Sequence, residues 1–161
     1  MNNATHTRIL GLLLFLLVTI VYLPAVKNGF IWDDPSHVTD NALLKTTDGL
    51  RRIWLEPWAA PQYYPMTLTV FWVEHALWGL NPVGYHLVNI LLHAMNSVLL
   101  WHLLGRLAVP GSLLIATAFA VHPVHVESVA WVSELKNTLS GFFISRPSSF
   151  YGGIIQRSRL F

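Results

Sequence analysis

The sequence predicts an all-α protein that takes lipid as much of its solvent, and three observations predict it. Of 161 residues, 53% are hydrophobic and only 11% charged, too few charges to solvate the surface of a globule of this size. The apolar residues are gathered into runs of helical length, separated by Pro, Gly and polar clusters. Seven Trp and five Tyr supply the amphipathic rings that favour membrane–water interfaces. The ten basic residues are scattered and form no run able to track a phosphate backbone, so nucleic acid is not an expected partner. The absence of Cys excludes disulfides, thiolate metal sites and cysteine nucleophiles.

The first predicted span is the charge-free run from Ile9 to Val26, close to the roughly 20 residues needed to cross a hydrocarbon core. A cleaved signal peptide is the competing reading. The run is longer than a usual signal core, and no small-x-small site closes it, which favours an anchor. Residues 27–62 form a polar loop outside the bilayer core, with five acids and four bases. Within it, Asp48 is placed to cap a short surface helix whose Leu50, Ile53 and Trp54 recur at helical spacing, with Trp54 and Trp58 at headgroup level.

Tyr63 to Leu80 is apolar but carries Glu74 and His75 near its middle and Pro65 at its start. This suits an interfacial or partly buried helix, one that keeps its ionisable groups wet, better than a lipid-exposed span. Tyr85 to Leu107 is long enough to cross, and its His86, Asn89, His93 and Asn96 share one helical face. Amides and imidazoles so placed usually join helices inside membranes. A third, short span is expected over 111–122 and the start of another over 137–144. From Ser145 to Phe161 the text neither spans nor packs and reads as an aberrant or disordered tail. Charge alone does not choose an orientation, because four bases lie in the long loop.

Two groups could carry chemistry. Asp33 and Asp34 are adjacent carboxylates just beyond the first span, where a general base could meet a substrate at the membrane surface. The plain alternative is a solvated Asx turn before Pro35. His122, His125 and Glu127 offer two imidazoles and a carboxylate at a span mouth, types that bind a phosphate-bearing ligand or a divalent metal. Pro123 argues against both His lying on one regular helix, so metal is the weaker option, and no cofactor is expected.

In order, the segments Asn28–Asp34 (NGFIWDD), Tyr64–Met66, Gly84–His93, His122–Trp131 and Ser133–Asn137 resemble the N-terminal part of the GT-C membrane glycosyltransferases. The likeness is closest to the transmembrane and tetratricopeptide-repeat (TMTC-like) O-mannosyltransferases. It covers roughly residues 9 to 143. The resemblance implies a partial GT-C transmembrane domain over 1–144 of a multi-pass protein of the bacterial inner membrane or endoplasmic reticulum, with the N-terminus cytoplasmic and the long loop external. It also implies transfer of a hexose, mannose by preference, from a polyprenyl-phosphate carrier to a protein or other hydroxyl acceptor. An acid of the first external loop is then the base, which carries onto Asp33 or Asp34, with Asp33 preferred. His122, His125 and Glu127 would orient substrate, and donor-phosphate contacts would fall to positions held here by Tyr64 and Lys136. The family usually has Arg at the position of Tyr64 and a basic–acidic pair near Leu135–Asn137, and it continues through more spans and helical repeats. This chain alone is therefore expected to be inactive. The rival reading is a small non-catalytic membrane protein that binds a lipid phosphate, a metal or partner helices.

Overall fold

A computed structural model describes residues 3–145, and every regular element among them is helical. Seven α-helices follow one another: α1 (Asn3–Tyr22), α2 (Thr47–Leu55), α3 (Pro65–Trp78), α4 (Pro82–Arg106), α5 (Ser112–Val121), α6 (His125–Ala130) and α7 (Leu135–Ser145). Short helical turns join them at Leu23–Lys27, Pro35–Thr39, Ala42–Lys45 and Val132–Glu134. Of the tail expected from Ser145 onward, only Ser145 falls among the described residues, as the last of α7.

Two helical stretches, Ala4–Lys27 and Pro82–Arg106, are long and apolar enough to cross a membrane. They run antiparallel, since Gly11 faces Val98 and Trp101 while Tyr22 meets His93 edge-on at 5.3 Å. The outer face of α1, with Leu12, Leu13, Leu16 and Ile20, is exposed apolar surface. Its inner face places Leu14, Val18 and Tyr22 against Ile90, Ala94, Ala116, Ala120 and Val129. At the far end of α4 the chain turns through Ala108 and Gly111, at φ +56° and +71°, and α5 returns antiparallel along α4.

The four polar residues of α4 form a seam. His86 Nε2 lies 3.1 Å from the Asn28 carbonyl and His93 Nε2 3.0 Å from that of Ala120; the Asn89 and Asn96 amides donate to the carbonyls of Trp131 and Thr138. Asn28, Ala120 and Trp131 lie at the C-terminal ends of helical segments, where carbonyls lack a partner along their own helix. Ala120 shows the cause. Beyond it Pro123 ends α5, and the Val124 N–H bonds to His122 Nδ1, leaving the Ala120 oxygen to His93. The stripe thus joins four separate segments to α4, as its spacing suggests.

The long loop is folded onto α3. Val38, Leu43, Leu44 and Ile53 are buried with Leu68, Phe71, Tyr85, Val132 and Leu135 in a second core. Indole N–H groups tie the rim: Trp54 donates to Thr69 Oγ1 and Trp72 to the Thr46 carbonyl. The helix expected near Asp48 is present, but its cap is Thr46, whose hydroxyl accepts from the Gly49 N–H. Asp48 sits in the first turn instead, where its charge favours the helix dipole.

At 14 residues α3 is about 21 Å long, short of the roughly 30 Å of a hydrocarbon core. Pro65 starts it, as expected. Glu74, by contrast, is not wet: it is 2% exposed and neither carboxylate oxygen has a hydrogen-bond partner among the described residues. The reason is that α3 turns this position toward Tyr85 in the second core, and burial raises the Glu74 pKa to about 8. With the folded pKa above the unfolded one, Glu74 leaves stability intact below about pH 4.5 and costs stability progressively as pH rises toward 8. Glu74→Gln is therefore expected to raise the thermal midpoint at pH 7 and to leave it nearly unchanged at pH 4. Equal shifts at the two pH values would show that the carboxyl is not held protonated.

Candidate functional site

The two adjacent carboxylates have different environments. Asp34 is fully buried, and both its oxygens are taken by main-chain donors: Oδ2 by the Ile31 N–H at 2.9 Å and Oδ1 by the Ser133 N–H at 2.7 Å. One side chain thus closes its own turn and fastens it to the segment ahead of α7, 99 residues away. A solvated Asx turn is excluded for Asp34, because its side chain is fully buried and both oxygens are bonded to the main chain. Asp33, the residue before it, is exposed, and its carboxylate has no partner among the described residues. Its main-chain carbonyl receives Ser36 Oγ at 2.8 Å and lies 3.0 Å from His37 Nδ1, which stabilises the turn without occupying the acid.

Trp32 precedes this pair at φ +51°, in the left-handed region. Its ring stacks on Trp131 at 5.8 Å between centroids and 17° between planes. The Trp131 carbonyl is the one held by Asn89, so the seam on α4 indirectly fixes the stack. At the start of α7, Lys136 Nζ pairs with Glu134 Oε1 at 2.8 Å and lies 5.9 Å from the centre of the Tyr64 ring. Glu134 also accepts from the Asn137 amide. Tyr64 and Lys136 are thereby brought together, and through the 132–135 segment they belong to the same end of α4 as Asp34. The charge of Lys136 is already balanced by Glu134.

The His122, His125 and Glu127 group is arranged differently. His122 ends α5 and His125 begins α6, so the break at Pro123 keeps them off one regular helix. The His125 ring packs among Phe119, His93 and His122 at 4.2, 5.1 and 6.4 Å between centroids. Burial, and then the neighbouring His122, lower its pKa, so it is neutral at pH 7. Glu127 is exposed with no side-chain partner among the described residues. Among the described residues no three of His, Asp and Glu group so as to hold a metal ion. His125, His93, Phe119 and Asn137 line a cavity of about 400 Å³ between α4, α5, α6 and α7.

The stack of Trp32 on Trp131 and the anchoring of Asp34 by Ser133 are not legible as spacing, since each joins residues about a hundred positions apart. The only local signal was the density of aromatic and acidic residues in Phe30–Asp34.

No protein-family model matches the chain, and no solved structure matches it. Curated proteins do. The chain is 32% identical over 136 residues to the human protein O-mannosyl-transferase TMTC3, covering 78% of this chain and 15% of that protein. It is 32% identical over 167 residues to Drosophila melanogaster Tmtc3, covering 81% and 18%, and 32% identical over 149 residues to human TMTC4, covering 77% and 20%. The chain thus spans between 15% and 20% of the length of these relatives. Matched over roughly four-fifths of its own residues, this chain belongs by sequence with the TMTC protein O-mannosyl-transferases, as a stretch of that family's longer polypeptide.

Proposed function

We propose that this chain supplies the acceptor-side part of a hexosyl-transfer site in a longer, multi-pass GT-C membrane enzyme. The enzyme moves a hexose, mannose by the relatives' names, from a polyprenyl-phosphate carrier to a protein hydroxyl. The observation that carries this reading is the division of labour in the carboxylate pair: Asp34 is wholly engaged in fixing the turn, which presents Asp33 exposed and unengaged on a rigid base. A general base must be held in place and still be free to take a proton.

In the step envisaged, the acceptor Ser or Thr gives its hydroxyl proton to the Asp33 carboxylate while its oxygen bonds to the anomeric carbon. The bond from that carbon to phosphate oxygen breaks, and polyprenyl phosphate leaves with the electron pair. The departing phosphate is assigned to Tyr64 and Lys136, with Lys136 exchanging Glu134 for phosphate. Neutral His125 is suited to packing and hydrogen bonding rather than to charge neutralisation, with exposed His122 and Glu127 at the rim. In this arrangement α1 and α4 cross the membrane with the N-terminus cytoplasmic, in the endoplasmic reticulum or a bacterial inner membrane, and the folded loop lies on the outer side.

The isolated chain is expected to be inactive, because walls supplied by the rest of the family's polypeptide are needed to exclude water from the reacting atoms. The test is hexose transfer from a polyprenyl-phosphate hexose to a Ser- or Thr-containing peptide, by a full-length parent carrying this sequence and by the 161-residue chain alone. Transfer by the first and none by the second is the expected result. A folded parent that transfers nothing overturns the reading.

A further inference from the structure

We propose that the outer face of Trp32 is an acceptor platform: it holds a proline or other apolar residue flanking the Ser or Thr of a polypeptide whose hydroxyl is presented to Asp33. The inference rests on the reading of Asp33 as base and adds what the acceptor must look like beside it.

Three features carry it. Trp32 is 78% exposed although its other face lies on Trp131, so one complete indole face is open to a ligand. Its φ of +51° is an outlier for a bulky side chain, a conformation that costs about 1–3 kcal/mol and persists only where its surroundings impose it. Those surroundings are present: Asp34 bonds back to the Ile31 N–H, just before Trp32, and the main chain of the stacked Trp131 is held by Asn89. A tryptophan that merely anchored the loop at a lipid interface would need neither the left-handed backbone nor a fixed partner ring.

The chemistry of the neighbours selects the occupant. Trp32 is bonded directly to the residue whose exposed carboxylate would receive the acceptor proton, so what rests on the indole is continuous with the acceptor. Lys136, the basic group of the candidate site, is already paired with Glu134 beside Tyr64, and the indole face itself offers a phosphate-bearing donor no charge partner. A flat apolar face with a free acid beside it fits a polypeptide segment that offers a ring or aliphatic side chain next to a hydroxyl. Proline fits best, because its fixed backbone loses little entropy on docking against an aromatic surface.

The test uses the 161-residue chain in lipid nanodiscs and two short synthetic peptides, identical except that the threonine is flanked by Pro in one and by Gly in the other. Binding is read from indole fluorescence or calorimetry in the native chain, Trp32→Gly and Asp33→Asn. The Pro peptide is expected to bind at least about tenfold more tightly than the Gly peptide, and Trp32→Gly to abolish that preference. Glycine relieves the left-handed strain while it removes the stack, so the thermal midpoint should move little, which separates lost binding from lost folding. Equal affinity for both peptides, or a preference that survives Trp32→Gly, overturns the proposal. So does a Trp32 signal that follows empty vesicles or free mannose in place of the peptide. Asp33→Asn should retain the Pro preference; if it does and a full-length Asp33→Asn parent still transfers hexose, the base assignment fails while the platform stands.

Discussion

Asp33→Asn in a full-length parent is expected to lower hexose transfer by about 10²- to 10⁴-fold, the usual contribution of a positioned general base. Asn retains the size of the side chain and removes only its ability to take the acceptor proton. The loss should therefore fall on turnover at saturating acceptor, with little change in acceptor affinity, because proton transfer is felt in the transition state and not in the bound ground state. The exposed carboxylate of Asp33 has no partner among the described residues, so the thermal midpoint should stay within the range of an ordinary surface substitution, about 0.5 kcal/mol. A stable Asp33→Asn enzyme with undiminished turnover would remove Asp33 from the reaction.

One residue later the expectation reverses. Asp34→Ala strands the buried Ser133 N–H and the part-buried Ile31 N–H and cuts the tie between the first loop and the segment before α7. Each lost bond to a charged acceptor, with the stranding of its donor included, is worth roughly 1.5–3 kcal/mol, so a loss of about 3–6 kcal/mol is expected. Asp34→Asn should recover only part of it, since an amide keeps one acceptor oxygen and turns an N–H group toward the other donor. Unfolding of the isolated chain in nanodiscs, followed by tryptophan fluorescence, measures this without reference to activity. A small change in both variants would mean that the tie is dispensable.

The contrast explains how far the sequence could be read. The boundaries of α5, and of α4 to within three residues at its start, were visible because Pro and Gly break the chain there and because the apolar runs are long. The polar seam was visible because its period is helical and its residue types have one use inside an apolar bundle. Inside the loop, Leu43 and Leu44 sit in a short turn whose stability comes from Ile53, Leu68 and Phe71, so no local pattern announced it. Glu74 lay in a helix whose apolar residues surround all faces, which gave no clue that this acid pointed inward. Likewise, the pair Asp33–Asp34 stood out as chemistry, but its division into an anchored and an exposed acid depends on a main-chain group at Ser133.

The seam on α4 also sets an order on assembly. Its partners are contributed by Asn28, which precedes α4 in the chain, and by Ala120, Trp131 and Thr138, which follow it. When α4 has just been synthesised, only His86 has its acceptor available; Asn89, His93 and Asn96 face outward with nothing to bind. If α4 crosses the membrane as proposed, polar side chains in that state are poorly tolerated by lipid, and α4 should linger at the insertion machinery or with a chaperone until the segment around residue 138 has emerged. Biogenesis of this region is then gated by a late segment, and a chain interrupted between α5 and α7 would be recognised for degradation by its unmet amides before any question of catalysis arose.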